Sequence, residues 1–154
     1  MLRKGPEHVP ASPTVLLFAI ALLFFSLFCT TILIEDGEGD SLLSLITAVL
    51  GYVLYTTVLS VTGFLKRLLP TIASIMACGS ILSVMMVAAF VFLNPFLGAQ
   101  LASLVAWLIL IWSVPVKGHI IARAIERHWY IGIAVSLTIF VLQYYFQSAM
   151  TGRI

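Results

Sequence analysis

The side chains best suited to acid–base or metal chemistry fall into two polar segments of this sequence. Residues 35–40 contain four carboxylates, but they lack the full ligand spacing and the closing glutamate of a calcium-binding loop. Residues 117–128 contain His119, Glu126 and His128. On a helix these two histidines point to different sides, which disfavours a shared metal ion. The sequence therefore predicts no metal site and no cofactor.

Nucleophilic chemistry has equally little support. Cys29 and Cys78 both lie inside apolar runs, which is typical of small core residues rather than of a disulfide or a metal site. No nucleophile stands beside a base, and no glycine-rich loop offers a phosphate site. We therefore do not expect an enzyme.

Composition indicates which solvent the chain folds in. Of its 154 residues, 62% are hydrophobic and 9% are charged, whereas soluble proteins have about 45–50% apolar and about 25% charged residues. The net charge of +2, without a basic stripe carrying interleaved aromatic residues, excludes nucleic acid as an expected partner. Lipid must therefore surround most of the chain.

Five apolar stretches are long enough to cross a bilayer, which takes about 20 residues. We predict a single all-α transmembrane domain over residues 1–154, with Pro115 kinking or ending the fourth span. None of the spans contains an ionisable residue between its ends, so buried proton relays are not expected. The predicted spans are residues 14–34, 42–65, 69–93, 97–116 and 129–149.

The basic residues predict the orientation. With five crossings, seven of the eight Lys and Arg residues share one side and Arg153 lies on the other. The positive-inside rule then predicts a cytoplasmic amino terminus and an extracytoplasmic carboxyl terminus. The first span is long for a signal peptide and has no small-x-small cleavage site, so we expect an uncleaved anchor.

Two sets of residues are candidates for contacts. Small residues at four-residue spacing predict close helix packing, either within the bundle or against another subunit; they are Ala73, Ala77, Gly98, Ala102, Ala106, Gly132 and Ser136. Residues 117–128 have the pattern of a short amphipathic helix on the inner leaflet. We expect its polar residues to contact anionic lipid headgroups or a membrane or cytoplasmic protein partner; they are Lys117, His119, Arg123, Glu126 and Arg127.

Two stretches carry a resemblance to known proteins. Gly5–Ser12 and Trp112–Ile120 resemble parts of small proteobacterial inner-membrane proteins of no assigned activity. The five closely spaced spans are remotely similar to the Yip family, whose eukaryotic members are associated with Rab GTPases, although their extended amino-terminal region is missing. The resemblance implies a multi-pass protein of the cell inner membrane and no functional residues.

The function predicted from the sequence is that of a non-enzymatic membrane scaffold or accessory subunit. It would act through helix packing and a basic cytoplasmic loop. The alternative is a small oligomeric transporter or channel.

Overall fold

A computed structural model describes residues 13–33 and 41–152 and shows an all-helical protein. Each of the five helices in these residues is long and apolar enough to cross a membrane, which confirms the all-α part of the predicted fold class and agrees with a multi-pass membrane protein. The first turn of α3, Leu65–Arg67, is a 3₁₀ turn. The helices are α1 (Pro13–Leu33), α2 (Ser41–Val61), α3 (Leu65–Phe96), α4 (Gly98–Ala124) and α5 (Trp129–Met150).

Helix α2 ends four residues before the predicted position because Gly63 caps it. Gly63 has φ +81°, a left-handed conformation that glycine adopts without steric cost. Its N–H donates to the Ser60 carbonyl at 3.1 Å, and the Phe64 N–H donates to the Leu59 carbonyl at 3.0 Å. These two bonds form a Schellman motif, which satisfies carbonyls at the helix end.

Helix α4 corrects the sequence prediction, because it continues through Pro115 instead of ending at Val116. Proline removes a single backbone donor, and neighbouring helices in a bundle can compensate for that loss. Beyond it, Ile121 and Ala124 are completely buried. Residues 117–124 are therefore the last two turns of α4, not a separate amphipathic helix on the membrane surface.

Helices α3 and α4 form a hairpin around Gly98. That residue has φ 78° and ψ 159°, a conformation outside the helical region. A Cβ atom at this position would meet nothing within 4 Å, so Gly98 makes the turn and does not take part in the predicted small-residue packing. Contacts of Arg67 with Ala124 and of Gly79 with Lys117 show that the two helices run antiparallel.

The interior of the bundle contains both small and large apolar residues, and many other large apolar side chains face outward. Ala19 of α1 packs on Ala73 and Met76 of α3. The central cluster combines residues from α2 to α5: Tyr55, Leu59, Ile75, Ile121, Ala124 and Ile139. Outward-facing side chains such as Phe18 and Trp107 are more than half exposed, as expected of surfaces that contact lipid.

Candidate intramembrane polar site

Side chains from all five helices line a cavity of about 140 Å³ inside the bundle. Polar groups are frequent on its walls, which is unusual in a chain that is 62% hydrophobic. We call this space the central cavity. Its polar lining consists of Ser26 and Thr30 from α1, Tyr52 and Tyr55 from α2, Ser80 and Ser83 from α3, Lys117 from α4, and Gln143 from α5.

Lys117 reaches this cavity from a position well inside α4. It lies seven residues before Ala124, which is about 10 Å along a helix. Its side chain passes over Gly79, near the midpoint of α3, where a Cβ atom would lie 3.4 Å from Lys117 Cε and 3.8 Å from Nζ. Both distances are ordinary van der Waals contacts, so the lysine chain lies directly against Gly79.

The Lys117 amine has no partner within the part of the chain that the structure describes, where no hydrogen bond or ion pair involves its Nζ. Glu126 is the sole carboxylate of residues 13–33 and 41–152, and it pairs with Arg67 at 2.6 Å. An ionisable group within a membrane-spanning helix is costly unless it is hydrated or paired. The central cavity therefore contains an uncompensated basic group.

Three hydroxyl groups of the central cavity donate to their own helices. Ser26 Oγ donates to the Leu23 carbonyl at 2.9 Å, Thr30 Oγ1 to the Ser26 carbonyl at 2.9 Å, and Ser80 Oγ to the Met76 carbonyl at 2.8 Å. A hydroxyl oxygen also has two acceptor positions. These groups can therefore accept a hydrogen bond from a molecule in the cavity.

Two further polar side chains connect α2 to α5. The Tyr55 hydroxyl donates to Ser136 Oγ at 3.1 Å in a buried contact, and Gln143 Nε2 donates to the Thr47 carbonyl at 2.7 Å. A Cβ atom at position 51 would overlap the Gln143 amide, so Gly51 provides the space for this bond. These two hydrogen bonds connect α2 and α5 beside the central cavity.

Tyr52 and Ser83 differ from these groups. Neither hydroxyl makes a hydrogen bond within the described residues. Together with Lys117 they are donors that remain available to a bound molecule. Sequence reasoning did not select Tyr52 or Ser83, because a hydroxyl in an apolar helix does not reveal which way it faces.

A second cavity of about 40 Å³ lies between α3 and α4. It shares Gly79, Ser83 and Lys117 with the central cavity and adds Ser113 from α4. The two spaces therefore meet at the lysine side chain.

The residues predicted to contact a partner or lipid do not form one surface. Arg123, Glu126 and Arg127 are exposed at the end of α4, and His119 is half-buried. Lys117 lines the central cavity instead. The predicted fourth span ends at Val116 and so leaves Lys117 outside, whereas the apolar residues Ile120 and Ile121 are the sequence signal that the helix continues.

The small residues occupy several helix contacts. Ala73, Ala102, Ala106, Gly132 and Ser136 are buried, and Ala77 is half-buried beside the Ala73 cluster. Gly132 is packed on the backbone of α4, where a Cβ atom would overlap the Gly118 carbonyl oxygen.

A cluster at one end of the bundle ties two connections together. Arg67 Nη2 pairs with Glu126, and Nη1 donates to the Ala124 carbonyl at 3.3 Å. The guanidinium also lies 5.4 Å from the centre of the Phe64 ring. We call these residues the Arg67 cluster. It fixes the α2–α3 connection against the end of α4.

Comparison of the chain with protein-family models, curated proteins and solved structures finds no match. The resemblance to the Yip family stays a prediction.

Proposed function

We propose that this protein is a membrane carrier that binds a small polar solute in the central cavity and moves it across the bilayer. The observation that supports this proposal most is the unpaired amine of Lys117 in a cavity lined by all five helices. Ionisable residues within spanning segments are rare and commonly mark substrate or ion pathways. This evidence moves the transporter, the alternative from the sequence, ahead of the scaffold.

The size of the central cavity limits the solute. Its volume of about 140 Å³ is smaller than the about 300–1,000 Å³ of pockets for drug-sized ligands. Because a water molecule takes about 30 Å³ in the liquid, the space suits a few waters or one small solute.

The second cavity supports a path rather than a closed pocket. It shares Gly79, Ser83 and Lys117 with the central cavity. Lysine has a flexible four-carbon stem. We propose that rotation of the Lys117 side chain joins the two spaces and acts as a gate.

Flux through proteoliposomes tests the proposal. The purified protein would be reconstituted and the uptake of glycerol, urea, acetate and inorganic phosphate measured. We expect uptake of at least one of them to exceed that of empty vesicles and to fall about tenfold in Lys117→Met, as a charge-assisted contact is lost. Lys66→Met is the matched control, because Lys66 is exposed beside the Arg67 cluster. Flux that is absent, or equal in wild type and Lys117→Met, contradicts the proposal.

The scaffold or accessory subunit remains the second candidate, supported by the exposed basic residues Arg123 and Arg127 beside the Arg67 cluster. In that function the pair Arg123→Glu and Arg127→Glu would remove a co-purifying partner or weaken binding to anionic vesicles, and Lys117→Met would do neither. That result together with absent flux would reverse the ranking.

We also propose a bacterial inner membrane as the location, with the amino terminus in the cytoplasm. The support is the distribution of basic residues. Of those in the described ranges, Lys66 and Arg67 lie at the same end of the bundle as Arg123 and Arg127.

A further inference from the structure

We infer that the solute carries an anionic group, a carboxylate or a phosphate, and that this group binds to Lys117 in the central cavity. The inference rests on the proposed function and names the substrate class of the same site.

The charge of the site favours an anionic ligand. Among the described residues that line the central cavity, Lys117 is the sole Asp, Glu, Lys, Arg or His. Lys117 is half-buried, so its ammonium loses part of its hydration, and an opposite charge in direct contact compensates that loss best. A metal cation or an amine would add a second positive charge, so the cavity disfavours both.

The hydrogen-bond donors of the cavity also favour an anionic ligand. Tyr52 and Ser83 line the same cavity as Lys117, and their hydroxyls have no partner within the described residues. A carboxylate offers acceptor positions on both oxygens, and each must be satisfied when the group leaves water. One ammonium and two hydroxyls match that demand.

Other hydroxyls of the same cavity add acceptors. Ser26, Thr30 and Ser80 use their O–H groups to donate hydrogen bonds to backbone carbonyls, so their oxygens remain available as acceptors. They can receive the hydroxyl of a hydroxy acid, the proton of a hydrogen phosphate, or a water that accompanies the anion. The central cavity thus has donors for the charged end of a solute and acceptors for its neutral end.

Binding in nanodiscs of zwitterionic lipid tests the inference. Isothermal titration with acetate, inorganic phosphate and acetamide would be run at constant ionic strength, acetamide being the neutral analogue of acetate. We expect acetate or phosphate to bind and acetamide not to bind. Lys117→Met should weaken the Kd about tenfold or more, because it removes the charged donor; Lys66→Met should leave the Kd unchanged.

Two conservative variants keep the test valid if Lys117→Met fails to fold. Tyr52→Phe and Ser83→Ala each remove one hydroxyl and retain the amine. Each should weaken the Kd about twofold to tenfold, the range for a neutral hydrogen bond. If both variants bind the anions as tightly as the wild type, the donor arrangement is wrong.

The same experiment with anionic lipid in the nanodiscs distinguishes a soluble anion from a lipid headgroup as the ligand. Anionic lipid in the nanodiscs should compete with the small anions at Lys117. If anionic lipid raises the Tm of the wild type but not of Lys117→Met, and the small anions do not bind, the anionic group belongs to a lipid headgroup. That result supports the anion chemistry and contradicts the carrier.

Two results overturn the inference. Acetamide and acetate binding with equal Kd, or anions binding as tightly to Lys117→Met as to the wild type, would mean that charge does not select the ligand. A Lys117-dependent flux of glycerol or urea in the proteoliposomes would then leave the proposed function standing. If neither binding nor flux is detected, both the inference and the proposed function are contradicted.

Discussion

Gly132→Ala tests a close contact between α4 and α5. Gly132 of α5 is buried against α4. A Cβ atom at this position would overlap the Gly118 carbonyl oxygen and would lie 2.5 Å from Ala122 Cβ and 2.8 Å from Ala122 N. Two of these three atoms belong to the backbone, so no rotamer change can relieve the overlap. Helix α5 must move away from α4.

The size of that movement gives the expected energy. Carbon–oxygen contacts normally lie at about 3.3–3.6 Å, so the helices must separate by about 1 Å, and a gap of about 0.5–1 Å loses a quarter to a half of the dispersion attraction. Overpacking of this kind costs about 1–3 kcal/mol. The greater helix propensity of alanine returns about 0.8–1.0 kcal/mol. Because the overlap is with backbone atoms, we place the cost in the upper half of that range, at about 2–3 kcal/mol, and after the gain we expect the free energy of unfolding to fall by about 1–2 kcal/mol.

Unfolding by sodium dodecyl sulfate in mixed micelles, followed by circular dichroism, measures this loss. Gly79→Ala is the matched control, because a Cβ atom there would lie at an ordinary contact distance of 3.4 Å from Lys117 Cε. It should be neutral or stabilise by up to about 1 kcal/mol. If Gly132→Ala unfolds at the same detergent fraction as the wild type, or Gly79→Ala is the less stable variant, the described packing of α4 on α5 is refuted.

Three other predictions concern packing, charge and topology. Ala102→Leu should destabilise the protein by about 1–3 kcal/mol, since Ala102 is completely buried, and half-buried Val105→Leu should cost less; equal melting temperatures in detergent would contradict this. A double-mutant cycle of Arg67→Ala and Glu126→Ala should give a coupling of about 0.2–1 kcal/mol that decreases with salt, and a coupling of zero would show that the ion pair contributes nothing. A reporter fused after Arg67 should be cytoplasmic and one after Ile154 extracytoplasmic; the same signal at both positions would rule out this topology.

The number of helices could be predicted because each spanning segment is a long apolar run. Helix α5 begins at the predicted residue and ends one residue later than predicted, and residues 14–33 are helical as predicted, the predicted last residue of that span, Ile34, lying outside the described residues. The end of α2 was harder to locate, since Val61, Phe64 and Leu65 continue the apolar run beyond the helix. Backbone geometry at Gly63 ends the helix there, and hydropathy does not detect that.

The central cavity could not be predicted for two physical reasons. Each helix is apolar on all sides, so the sequence does not indicate which hydroxyls face inward. The second reason is Pro115, which is compatible with either a kink or an end. A span that ends at Val116 excludes Lys117, which is the residue on which the proposed function depends most.

The lengths of the helices have a consequence for the choice of bilayer. Helices α1, α2 and α5 have 20–22 residues in their spanning segments, whereas α3 has 32 and α4 has 27. At 1.5 Å per residue the short helices match a hydrocarbon layer of about 30 Å, but α3 is about 48 Å long. The hairpin must therefore tilt, extend into the headgroup region or thicken the bilayer locally, and each of these depends on lipid chain length. Because Lys117 is carried by this hairpin, membrane thickness sets how the lysine is positioned relative to the other walls of the cavity.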